Sequence, residues 1–550
     1  MINIIKYTTI ALLSVPLWSC SKSDDGTVID GGEGYAKFSK AEINVSSKGG
    51  QSSAVLVWDN IEWEIETISE KSFITNISPS SGGEIGNSNL TTITFTVAVN
   101  NSTAQRSQEI YAVNKTTGEK EKLVVTQETL PFSIVNSNVK YQKVVGFGGM
   151  YNPAIWLSSE DRISSDELAT MYDPGGKLQY SVLRLMIYAD KSKWAQDVAG
   201  ALQAQNYGAI IIASPWDCTD ALADYIDKDG DGGSDKHLPA ANYDAYADHL
   251  IEYVNFMKSN GVNIYAISVQ NEPDMDFTYW TPTEIATFTA NYGAKVRATG
   301  VKLMTPEACG FLPSYTDAIL NSSEAFSNTD IVAGHLYQGF IDLSSSYVKA
   351  RHDYVCSLYP NLLASSGKNW WMTEHLFNEG QEETDVTKQE FKKWSYNLEK
   401  LGLEMHMCME GYCSAYVYWY LKRFYGMIGD NDARGYVAEG EVMKNGYIMG
   451  HYSAYATGMT RIDVNVPDED VLATAYINES GDVITVVALN MGENTYETFL
   501  ETPGEISSHS AVETTANYDM KEVETSLSDD MKHLKLIISP RSIYSVRIEF

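Results

Sequence analysis

Between residues 144 and 460 the chain alternates apolar strand-like runs with stretches whose apolar residues recur at helical spacing. Eight such runs can be counted: VVGFGG (144–149), YSVLRLMI (180–187), GAIIIASP (208–215), IYAISVQNE (264–272), KLMTPEA (302–308), DIVAGHLY (330–337), NWWMTEH (369–375) and AYVYWYL (415–421). Near-continuous apolarity means burial on both faces, which belongs to parallel strands covered by helices. Between them, Tyr243, Tyr246, Leu250, Val254 and Met257 share one face of a helix expected over 242–258. Phe391, Trp394, Leu398 and Leu401 do the same over 385–401. An open doubly wound sheet is the competing architecture. The count of eight, and the lack of a glycine-rich phosphate loop after the first run, favour a closed (β/α)8 TIM barrel over 144–460.

Both flanks change to strict alternation. Residues 35–128 hold five short alternating runs separated by Ser, Gly and Asn turns, the pattern of a small β-sandwich. Residues 461–550 carry four more. The segment 131–143 is expected to pair with them, making one β-sandwich side domain from both sides of the barrel. Residues 1–19 contain a short apolar run, TIALLSVPL, that is too brief to span a bilayer and reads as a secretory signal. Leu17 and Ser19 before Cys20 resemble a bacterial lipoprotein cleavage box, which implies lipidation at Cys20. Residues 20–34 read as a flexible tether whose SKSDDG start resembles an acidic outer-surface export tag, so an outer-membrane, cell-surface lipoprotein is expected. Membrane contact would come through the lipid alone.

Charge narrows the partners. Lys and Arg number 40 against 72 Asp and Glu, a net charge of −32, which disfavours nucleic acid because phosphate binding needs clustered positive charge. The remaining cysteines, Cys218, Cys309, Cys356, Cys408 and Cys413, are odd in number and lack CxxC pairs, so neither a disulfide framework nor a zinc site is expected. Asp227, Asp229, Asp231 and Gly232 have the spacing of a calcium loop, but its twelfth position is Leu238 where a bidentate glutamate belongs, and a solvated acidic turn is the better reading. No cofactor or metal is expected, and the protein should be a monomer.

Barrel active sites lie at the C-terminal ends of the strands. Glu272 ends the fourth run in Asn-Glu-Pro and Glu374 ends the seventh in WMTEH. Two carboxyls facing across such a mouth are what glycoside hydrolysis requires, one to protonate the leaving oxygen and one to attack the anomeric carbon. Trp156, Trp216, Trp280, Trp419 and Tyr420 fall in loops or at strand ends, where aromatic faces can stack on sugar rings.

These motifs resemble the clan A glycoside hydrolases. More narrowly, GFGGMYNPAIW, SVLRLMI, IIASPW, YAISVQNEPD, TPEACGF, GHLY, WMTEH and AYVYWYLKRFYG, in this order, resemble glycoside hydrolase family 30 and within it the bacterial glucuronoxylanases. The resemblance implies a retaining endo-β-1,4-xylanase acting on glucuronic-acid-substituted xylan, with Glu272 as acid/base and Glu374 as nucleophile. Arg423 would grip the branch carboxylate beside Tyr420 and Tyr425. His335 and Tyr337 are expected as donors to Glu374, and Asn271 as a donor to a sugar hydroxyl. The charge of Glu374 and partial burial should raise the pKa of Glu272. The 35–128 segment, through Trp63, SPSSGG, Asn100, Arg106 and Gln127, resembles a BACON domain. Other β-glycans such as β-1,6-glucan, exo action, or an inactive glycan-binding protein are the alternatives. The chain departs from the xylanase pattern at Asp217 to Asp220 and inserts DKDGDGGSDKHL at 227–238.

Overall fold

A computed structural model of the protein describes residues 34–67, 72–156, 162–228, 232–275, 277–435 and 437–550. The expected signal, the lipidation site Cys20, nearly all of the tether, and Asp229 and Asp231 of the acidic turn lie outside the described residues. The chain divides into two compact units, one ending at Thr129 and one starting at Leu130.

The first unit is two β-sheets. One has four strands, in the order Tyr35–Phe38, Gly50–Asp59, Ser88–Val97, Ile74–Ser78. The other has five, in the order Glu42–Val45, Lys120–Gln127, Arg106–Asn114, Glu62–Thr67, Ser81–Gly83. Every second residue points inward, so Leu56, Trp58, Ile93, Phe95, Ile110, Leu123 and Val125 form its core. Trp63 is fully buried, and the SSGG turn is shaped to it: a Cβ on Gly82 would lie 2.6 Å from its ring. Asn100 and Gln127 close the far end by donating to backbone carbonyls of Ala104, Glu128, Ser46, Ser47 and Ala98.

The second unit is built around a closed barrel of eight parallel strands: β1 (Gly146–Met150), β2 (Val182–Ile187), β3 (Ile210–Pro215), β4 (Ile264–Ser268), β5 (Lys302–Ala308), β6 (Ile331–His335), β7 (Asn369–Glu374) and β8 (Cys413–Tyr418). Closure is made by β1 pairing with β8, Gly146 opposite Ala415 through Gly149 opposite Tyr418. Val182, Ile212, Ala266, Met304, Ala333, Trp371, Ala415 and Val417 fill the interior. One period further along, the inward positions become Arg184, Ser214, Ser268, His335 and Thr373. The barrel is thus apolar at its waist and polar at its C-terminal mouth.

The helix Tyr243–Ser259 buries the five residues its periodicity predicts. The 385–401 helix does not form as expected. Val386–Lys388 and Glu390–Lys392 are single 3-10 turns, and continuous helix starts only at Trp394, because Gln389 and Lys393 take non-helical ψ of 86° and 133°. Phe391, Leu398 and Leu401 are nevertheless buried. The segment Phe132–Lys143 pairs antiparallel with Thr460–Asn465 and parallel with Tyr496–Glu501, placing it inside a ten-stranded sheet made otherwise of C-terminal strands. The 227–238 insertion contributes to a hairpin, Asp224–Ile226 with Asp235–His237, pinned by His237 between Asp224 and Glu284 at 2.6 and 2.9 Å.

Barrel closure gives a test. A Cβ on Gly148 would lie 1.8 Å from the Val182 carbonyl oxygen. Gly148→Ala should therefore prise β1 from β2 and cost about 3 kcal/mol or more, read by chemical denaturation.

Candidate active site

The mouth of the barrel is organised by Arg184, an arginine in an apolar strand with no exposed surface. Its Nη1 donates to Glu374 Oε2 at 2.5 Å. Its Nη2 donates to Asn271 Oδ1 at 2.6 Å and Glu307 Oε1 at 3.0 Å, and its Nε to Ser214 Oγ at 3.3 Å. One guanidinium thus ties β2 to β3, β5, β7 and the loop after β4. Trp216 covers its face at 4.8 Å.

Glu272 lies four residues beyond the end of β4, because the strand stops at Ser268. Gln270 anchors this exit by donating to the carbonyls of Trp216 and Asn271. Glu272 then takes a left-handed φ of 45°, and its N–H donates to the Glu307 carbonyl at 3.0 Å. The turn aims its carboxyl at Glu374. One oxygen of each glutamate and a nitrogen of His335 lie within 4.8 Å of one another.

Each carboxyl has its own partners. Tyr337 donates to Glu374 Oε1 at 2.8 Å, as expected. His335 does not reach Glu374: its Nδ1 bonds Glu272 Oε1 at 2.9 Å, and its Nε2 faces Glu307 at 3.7 Å. The second donor to Glu374 is Arg184. Burial would lower the His335 pKa, but the charge of Glu374 and bonds to Glu272 and Glu307 push it up to about 9. Burial works to raise Glu307, yet Arg184 and His335 hold it down to about 2.

The two facing glutamates differ from expectation. Burial raises Glu272, but the hydrogen bond and charge of His335 outweigh it and keep the carboxyl below its ordinary value. Glu374 is raised, burial and the charge of Glu272 together outweighing His335 and Arg184. The expected upward shift of Glu272 is not present, because a charged imidazole sits beside it. Its thiol neighbour Cys309 is pushed up by burial and by the surrounding carboxylates, so it stays protonated.

A cleft of about 380 Å³ opens over the pair, lined by Trp156, Trp216, Phe277, Cys309, Tyr337, Leu376, Trp419 and Tyr420 along with both glutamates. Trp156 is 39% exposed and packs edge-on against Trp216 and Trp419 at 5.6 and 5.7 Å. Trp280 is not in this cleft. It is fully buried, stacks on Tyr243 at 5.3 Å and donates to Gln270, so it is a core residue that supports the β4 exit. Asn271 spends its Oδ1 on Arg184, while its buried Nδ2 has no hydrogen-bond partner among the described residues. Arg423 lies outside the cleft lining, beside Tyr425 and 3.4 Å from Asp430. Asp227 accepts from the Gly232 N–H. Arg184, Glu307, Cys309, Phe277 and Leu376 were not among the predicted site residues. The signal for the first two was a charge inside a run otherwise buried on both faces.

Residues 172–372 match the glycosyl hydrolase family 30 TIM-barrel domain. Glucuronoxylanase XynC of Bacillus subtilis is 34% identical over 365 residues, covering 65% of this chain and 77% of that protein. The crystal structure of a GH30 endoxylanase from Clostridium papyrosolvens C71 aligns with TM-score 0.61 at 28% identity, over 76% of this chain and 100% of the other. The Xyn30A xylanase of Clostridium acetobutylicum, at 24% identity and TM-score 0.61 over 76% and 99% of the two chains, shares the fold.

Removing Arg184 takes from Glu307 and Glu374 the cation they share and leaves His335 as the positive group beside both. Arg184→Met should cost about 3–5 kcal/mol of unfolding free energy, measured in denaturant. The pH signs follow from the shifts. Glu307, held below its ordinary 4.5, adds stability above that pH which is lost as pH falls toward 2. His335, raised from 6.5, adds stability below pH 6.5 which is lost as pH rises through 9. A melting series should therefore fall between pH 6.5 and 9, and His335→Gln should flatten that limb.

Proposed function

Because the chain belongs to glycosyl hydrolase family 30, we propose that it is a retaining endo-β-1,4-xylanase acting on xylan that carries glucuronic acid branches. The observation that carries the mechanism is the approach of Glu272 and Glu374 to within 4.8 Å. Retaining enzymes hold their carboxyls about 5–5.5 Å apart, whereas inverting enzymes leave about 6.5–9.5 Å for a water.

In the first step the Glu374 carboxylate attacks the anomeric carbon while Glu272 passes its proton to the departing glycosidic oxygen. A covalent glycosyl-enzyme results. In the second step Glu272, now a carboxylate, takes a proton from water, whose oxygen displaces Glu374 from the same carbon. This cycle starts with the proton on Glu272 and the charge on Glu374. The reaction proceeds through that arrangement of the pair even though it is the minor one at rest, because an ionised Glu374, held by Arg184 and Tyr337, is the form that stabilises the positive charge developing at the anomeric carbon. Once Glu374 is ionised, its charge raises Glu272. His335 then donates to one Glu272 oxygen while the other carries the acid proton.

Trp156, Trp216, Trp419 and Tyr420 supply flat walls for the sugars. The Asn271 Nδ2, without a partner among the described residues, suits a sugar hydroxyl next to the reacting carbon. Arg423, flanked by Tyr420 and Tyr425, suits the carboxylate of a branch. Relatives named glucuronoxylanase and endoxylanase favour this substrate over other β-glycans. The leader and Cys20 fit a lipid-anchored enzyme at the outer surface. The N-terminal sandwich, read as a BACON-type module, would serve as a spacer or glycan contact.

Proton NMR of a xylan digest should show the β-anomer formed first, and an initial α-product would refute double displacement. Glu272→Gln should lower kcat by about 10²–10⁴-fold. It should do least damage on substrates with good leaving groups. Glucuronoxylan should yield oligomers bearing one acidic branch each, and Arg423→Ala should lose that pattern while still cutting plain xylan. A mutant product ladder identical to wild type would remove Arg423 from the substrate site.

A further inference from the structure

The proposed role of Arg423 leaves its neighbour Asp430 unexplained. The Asp430 side chain is only 2% exposed and that of Arg423 20%. Nη1 of Arg423 lies 3.4 Å from Asp430 Oδ2, yet that oxygen and the Arg423 Nε both lack a hydrogen-bond partner among the described residues. Asp430 is held from its other oxygen, where Oδ1 accepts the Asp432 N–H at 3.1 Å. Asp432 itself is answered by Arg434 at 2.9 Å, whose guanidinium lies over Phe424. The carboxylate left facing Arg423 is therefore Asp430. A buried ion pair kept for structure normally completes its hydrogen bonds, because the desolvation of an unsatisfied oxygen is costly. This pair has contact of charge without a bond.

We propose that Asp430 is an internal counter-charge that partly neutralises Arg423, and that it sets how strongly an acidic branch is preferred. This inference rests on the reading of Arg423 as the residue that meets the branch. An incoming carboxylate must share the guanidinium with one already in place, so its gain on binding is reduced by repulsion between like charges. Asp430 thereby acts as a specificity-determining residue without touching the reacting atoms, and the exposed part of Arg423 remains the point of entry.

The test uses the full chain in a Glu374→Gln background, so that substrate binds without being cut. Calorimetry compares a xylooligosaccharide bearing one glucuronic acid branch with its carboxyl-reduced analogue. Asp430→Asn, close to isosteric, should tighten the acidic ligand about five- to tenfold and leave the reduced analogue within about twofold. In an Arg423→Ala background the same substitution should change neither. Asp430→Ser serves as a second variant should Asp430→Asn fold poorly. If Arg423→Ala weakens the acidic ligand but neither Asp430 variant tightens it, the counter-charge is overturned while the role of Arg423 stands. If Arg423→Ala binds the acidic ligand as tightly as before, the role of Arg423 falls and the counter-charge with it.

Discussion

One buried guanidinium ties together the strands at the catalytic end of this barrel. Arg184 would be intolerable in an apolar strand without compensation, since an isolated charge in a low-dielectric interior costs several kcal/mol. Its compensation is a set of acceptors taken from β3, the β4 exit, β5 and β7. Because those acceptors are distant in sequence, the guanidinium can be satisfied only when the barrel is closed and in register. Folding and preorganisation of the site are thus one event. The rigidity this confers on Glu374 suits its proposed task as nucleophile, for a carboxylate bonded to Arg184 and Tyr337 has little rotational freedom left to lose.

Glu272 is placed by a different device. Its left-handed φ of 45° and that of Glu307 at 62° are unusual for a non-glycine residue, and the two residues brace one another through the Glu272 N–H and the Glu307 carbonyl. Gln270 and Trp280 support the same turn from below. Glu374 is thereby held by two side-chain bonds, from Arg184 and Tyr337, and Glu272 by its backbone turn and a single bond to His335. That difference matches their proposed tasks, since an acid that becomes a base must exchange partners while a nucleophile must hold still.

Much of this was legible in the sequence. Eight apolar runs gave the barrel because each strand is buried on both faces, and that burial leaves a long apolar word. The Phe132–Lys143 pairing with C-terminal strands was legible because alternation marks a half-buried strand wherever it falls. The partners of individual side chains were not. His335 and Tyr337 are two residues apart, and sequence assigned both to Glu374. In the structure the step from strand to loop after His335 sends one to Glu272 and the other to Glu374. Trp280 was misplaced for a related reason: an aromatic near a strand end has the same spelling in a cleft wall as in the packing beneath it. The helix expected from 385 failed at Gln389 and Lys393, where apolar spacing continued but backbone dihedrals did not.

The charge of the whole molecule bears on its proposed selectivity. With a net −32 the protein repels polyanions at long range, yet the proposed substrate carries carboxylates. Screening limits that repulsion to about 8 Å at physiological salt, so it shapes approach more than the bound state. Recognition of an acidic branch must then be local, made by a guanidinium protected from competing solvent. A lone arginine in that position would bind any carboxylate indiscriminately. Placing Asp430 beside it offsets part of the attraction, so that an anion is held only when the sugar chain that carries it also fills the aromatic walls of the cleft.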